Sequence, residues 1–141
     1  MEELILLPAI YIGILVGLYE AILMHRDVRV PTHRFGHMLH ALIFAIVAVF
    51  ASMNVEYVLS LFPSLQNIML IGNPLFFRIA IALIVMIKIH AVSAVAPGMA
   101  GSSVGLKEKW SHSFIIALLI VAAPYAWPYI KQYVTFLPGV N

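Results

Sequence analysis

The chain has 141 residues, 63% of them hydrophobic and only 10% charged, with a formal net charge of +2. An ordinary soluble domain carries about 25% charged residues, and a chain this short has too much surface for its volume to be covered by so few polar groups. Lipid is the expected surrounding for a single domain over 1–141, while zero Cys excludes disulfides, iron–sulfur clusters and thiol catalysis, and eight scattered Lys and Arg are too few for a nucleic-acid surface.

About 20 apolar residues are needed to cross the hydrocarbon core. Four stretches qualify, at about 4–24, 37–62, 75–95 and 113–134. None alternates as a barrel strand would. The predicted fold is an all-α bundle of four transmembrane helices, in a multi-pass protein of the cell membrane. The first span begins at Glu2-Glu3 and ends at Met24-His25-Arg26. A cleaved signal peptide has the opposite layout, basic first and small residues last, so this helix is expected to stay.

Between the spans the sequence carries loop punctuation. Residues 26–36 are polar and contain Pro31, and 63–74 are bracketed by Pro63 and Pro74, which end helices. The third loop, 97–110, holds Gly98, Gly101 and Gly105. Leu106 follows the last of these where a phosphate-binding loop needs lysine, and no strand precedes it. The run Ile68-Met69-Leu70-Ile71 is expected at the outer interface or against a partner. No internal repeat aligns.

Loop lysines and arginines favour the cytoplasm. Arg26, Arg29, Arg34, Lys107 and Lys109 fall in the first and third loops, against Lys131 alone on the other side. Both termini are therefore expected on the outer side. Tyr125, Trp127, Tyr129 and Tyr133 then form an outer aromatic belt on the last helix.

Charges inside spans are costly and usually pair. At a rise of about 1.5 Å per residue, Glu20 and Lys88 lie about 8 and 4 Å inward of their helix midpoints, and Glu56 and Arg78 about 10 and 12 Å outward. Depth thus suggests two pairs, Glu20 with Lys88 and Glu56 with Arg78. They pin helices together, or Lys88 and Glu20 with His90 line a path for protons, ions or a small solute, or Glu56 and Arg78 snorkel to the outer interface or meet a partner subunit. In the last helix, Pro124 near the midplane and Pro128 four residues on are expected to shape packing.

All six histidines, His25, His33, His37, His40, His90 and His112, fall toward the basic side. The first reading is of water-facing interfacial residues. His33, His37 and His40 share a face if the second helix extends back to His33, and such a face could hold zinc or copper or sense pH. His40 and His90, on two helices, could instead ligate haem b.

The motif Thr32-His33-Arg34-Phe35-Gly36, with His90 near the inner end of the next span, resembles the cytochrome b membrane anchors of succinate dehydrogenase. That resemblance implies a quinone-touching Ser/Arg motif and a haem-ligating histidine. It covers about a tenth of the chain. The Gly-x-Arg-His continuation of those anchors is missing, 92–97 standing in its place, and this chain has an additional first helix.

No constellation amounts to a catalytic centre. The leading expectation is a small non-catalytic membrane subunit that supports a larger assembly, as a homo-oligomer or with other subunits. Its rivals are an oligomeric ion or proton channel or small-solute transporter, with its path near Lys88, Glu20 and His90, and a haem- or metal-bearing anchor of an oxidoreductase.

Overall fold

The computed structural model describes residues 2–27, 31–94 and 109–140, with backbone alone at 31–34, 37 and 91–94. Among these residues it is all-helical. Four long helices, α1 (Leu7–Asp27), α2 (Pro31–Met53), α5 (Pro74–Ala94) and α6 (Trp110–Ile130), are joined by the short α3 (Val55–Leu61) and α4 (Pro63–Gln66). A 3₁₀ turn, Lys131–Tyr133, continues α6.

Among the described residues two helices, α1 and α6 with its 3₁₀ turn, are long and apolar enough to cross a membrane. A third is added if the bent pair Met38–Met53 and Val55–Leu61 counts as one span.

The second predicted element differs most. In place of one helix over 37–62, the structure starts α2 at Pro31, within the expected loop, and breaks it at Asn54. Pro31 opens the helix because its missing N–H falls where no intrahelical partner exists. At Asn54 the backbone leaves the helical region (φ −107°, ψ 17°) and the axis turns by 57°. The expected third loop lies almost wholly outside the described residues.

The helices form a rhombus. α2 and α6 touch each other along the short diagonal, and each also touches α1 and α5. Among the described residues α1 and α5 do not meet.

The tightest seam is that of α1 on α2. Ala9, Gly13, Gly17 and Ala21 recur every fourth residue and are buried, with Leu42 and Ile46 of α2 against the two glycines. A Cβ on Gly13 would stand 2.9 Å from the Ile46 Cα, and one on Gly17 2.6 Å from the Leu42 Cδ1. Small residues let the two backbones approach, which is how helices associate where lipid removes the hydrophobic drive.

The described segments before α1 and after α6 lie at the Asn54 end of the bundle. Ile5 bonds to Asn54, and the Tyr11 hydroxyl donates to the Pro138 carbonyl at 3.1 Å. This end is called the termini end below.

Candidate functional site

Three sequence features meet at the break in α2. The first is Asn54, a buried amide in an apolar stretch. Its Oδ1 accepts from the Ile5 N–H at 2.7 Å, while its Nδ2 donates to the Ile5 carbonyl at 3.0 Å and the Phe50 carbonyl at 2.8 Å. One side chain thus satisfies both backbone groups of Ile5 and holds the segment before α1 against the break.

The second is Pro124. Lacking an N–H, it leaves the Ile120 carbonyl one turn earlier without its helical donor. The buried Ser52 hydroxyl donates to that carbonyl at 2.7 Å, fastening α2 to α6. α6 runs through the proline unbroken.

The third is Arg78, one turn into α5, with a side chain only 4% exposed. Its Nε donates to the Ser52 carbonyl at 3.0 Å. In an uninterrupted helix that carbonyl would serve the Glu56 N–H; here the guanidinium takes it. A second nitrogen donates to the Tyr125 hydroxyl at 3.0 Å, and the group lies 5.1 Å from the Tyr125 ring centroid. A third nitrogen forms an ion pair with Glu56, whose side chain is 43% exposed. Arg78 therefore ties α2, α3 and α6 to α5. Non-helical backbone within a membrane is tolerated where protein covers it.

A cavity of about 380 Å³ opens beside this knot. Glu2, Glu3, Glu56, Tyr57, Arg78 and Tyr125 supply its polar lining, over a floor of Ile5, Met53 and Pro124.

Glu20 and Lys88 are not brought together. Glu20 is fully buried on α1, whereas Lys88 is exposed on α5 with its ammonium 5.9 Å from the Phe44 ring centroid. The helices that carry them sit at opposite corners of the rhombus. The expected inner pair does not form.

Among the histidines, α2 does extend back over His33, which puts His33, His37 and His40 in register on one helical face. The side chains of His33 and His37 lie outside the described residues. His40 is exposed against Phe44, and the His90 ring stacks on Trp110 at 3.7 Å between centroids. Among the described residues no three His, Asp or Glu converge as metal ligands do.

Sequence reading missed the opposite end of the bundle, where Asp27 is buried. Its Oδ2 accepts from the Lys109 N–H at 3.0 Å and lies 2.5 Å from the His112 Nδ1, and Lys109 Nζ lies 3.9 Å from Oδ1. Asp27 thus joins the last turn of α1 to the first turn of α6, where a carboxylate also favours the helix N-terminus. Asn54 and Ser52 were missed too. A lone amide in an apolar run, and a proline whose freed carbonyl needs a donor, were the signals for them.

Comparison with family models, with curated proteins and with solved structures found no match to this chain.

Proposed function

We propose that the chain is a four-span membrane protein, with both termini outside, that acts as a non-catalytic subunit within a larger helical assembly. The fourth span in this reading is α5, whose 21 residues make a helix about 31 Å long.

One observation carries the reading. The buried polar side chains with described partners are spent on fastening the chain to itself: Arg78 and Ser52 at the break, Asn54 on Ile5, Asp27 on α6. The outward faces instead carry large apolar residues. Leu39, Ile43 and Val47 form such a stripe on α2, and Leu83, Ile84 and Ile87 on α5. Met69 and Leu70, 89% and 60% exposed, add an apolar edge at the termini end. A path centred on Lys88 has less to support it, because that residue faces away from α1.

Native mass spectrometry of the protein extracted from its own membrane tests the assembly. Masses containing two or more polypeptides support the proposal; a 15.6 kDa chain accompanied only by lipid overturns it. Topology is tested on the cysteine-free sequence with single cysteines placed in 26–36 or 97–110. These should stay shielded from an impermeant maleimide outside intact cells.

A further inference from the structure

The cavity at the termini end is built for a ligand of particular chemistry. Its polar lining holds three carboxylates, Glu2, Glu3 and Glu56, and one guanidinium, Arg78. That guanidinium is already committed to the Ser52 carbonyl, the Tyr125 hydroxyl and Glu56. Glu2 and Glu3 make no ion pair or hydrogen bond among the described residues. Two formal negative charges are therefore left over, and an anion would meet repulsion there.

Carboxylates on an open surface hold only diffuse counterions. Here they border a hollow whose size falls in the usual range for small-molecule sites, about 300–1,000 Å³. Tyr57 stands in the same wall. An aromatic face attracts a cation most when the cation is poorly hydrated, as an alkylammonium is. The apolar floor suits methyl and methylene groups and offers nothing to a hydrated metal ion.

We propose that this cavity binds an organic ammonium group, supplied by a membrane lipid headgroup or by a free amine at the same interface. Glu2 and Glu3 provide the charge, Tyr57 the ring, and Glu56 and Arg78 the fixed wall. The site goes beyond the subunit reading and does not depend on it.

The test uses the full chain in nanodiscs of phosphatidylglycerol, a lipid without an ammonium group, titrated calorimetrically with choline and with tetramethylammonium at constant ionic strength. Saturable binding of both is expected. A double variant, Glu2→Gln with Glu3→Gln, should bind at least tenfold more weakly with an unchanged unfolding midpoint, and Tyr57→Leu several-fold more weakly. Native mass spectrometry from discs of mixed phosphatidylethanolamine, phosphatidylcholine and phosphatidylglycerol separates the sources. Selective retention of the first two identifies a lipid headgroup, and choline binding without such retention a free amine. No saturable binding together with no lipid preference, or equal affinity in the double variant, overturns the proposal.

Discussion

The two ends of the bundle solve one problem with opposite signs. At the termini end the buried partner is a cation, Arg78, and its acid Glu56 reaches the rim. At the other end the buried partner is an acid, Asp27, with its side chain 3% exposed, and Lys109 reaches out at 70%. The termini end is consequently rimmed by carboxylates and the opposite end by bases. The loop charges that suggest an orientation are thus continued into the interior by countercharges of the other sign. A second difference is in the backbone. Arg78 serves a helix interrupted in mid-course, whereas Asp27 serves a helix start, where free N–H groups are expected.

That contrast can be broken most sharply by removing Glu56. Glu56→Ala takes the paired acid from the buried guanidinium, and the loss of stability should be about 2–4 kcal/mol, below that of a fully buried pair because Glu56 is 43% exposed, measured by denaturant titration in detergent. Removing Asp27 strands no buried guanidinium or ammonium, since Lys109 is 70% exposed. Asp27→Asn should cost about 1–2 kcal/mol, the scale of a weakened cap and its hydrogen bonds. An equal or larger loss at Asp27 would sink the comparison.

Between these extremes lies Asn54→Ala, which deprives the Ile5 N–H and carbonyl of their partner. A cost of about 1–3 kcal/mol is expected, together with faster hydrogen exchange at the Ile5 amide. Gly13→Ala should cost about 1–3 kcal/mol by overpacking. Gly17→Ala should cost a similar amount, because beyond the end of the Leu42 side chain a Cβ there meets the Leu42 carbonyl oxygen at 3.0 Å. The smallest effect is expected for Lys88→Met. An unchanged unfolding midpoint and unchanged proton flux into liposomes would agree with its outward position; lost flux in a folded variant would restore a path there.

What the sequence made readable follows from what is local. Long apolar runs set α1 and α6 to within about a turn, because hydrophobic length and prolines are properties of neighbouring residues. Depth along a helix is equally local, but which helices adjoin is not. Glu56 and Arg78 meet because α5 lies beside α2 and α3. Glu20 and Lys88, whose depths differ little, sit on helices that do not touch among the described residues. The lone amide of Asn54 was a local signal, but the break it makes was not readable from it, because its partner is Ile5, 49 residues away. The close seam of α1 on α2 had a local signal, Gly13 and Gly17 four apart with alanines in phase, which loop and charge patterns do not register.

The bond from Ser52 to the Ile120 carbonyl makes Pro124 a phase marker for the whole molecule. Only one carbonyl on that face of α6 is released by this ring, so a slip of α6 by one residue would carry it about 1.5 Å along and about 100° around the axis. Ser52 would then confront a carbonyl already in use. Apolar surfaces sliding in lipid have shallow preferences; a freed carbonyl met by a buried hydroxyl favours this setting of the two helices over a one-residue slip.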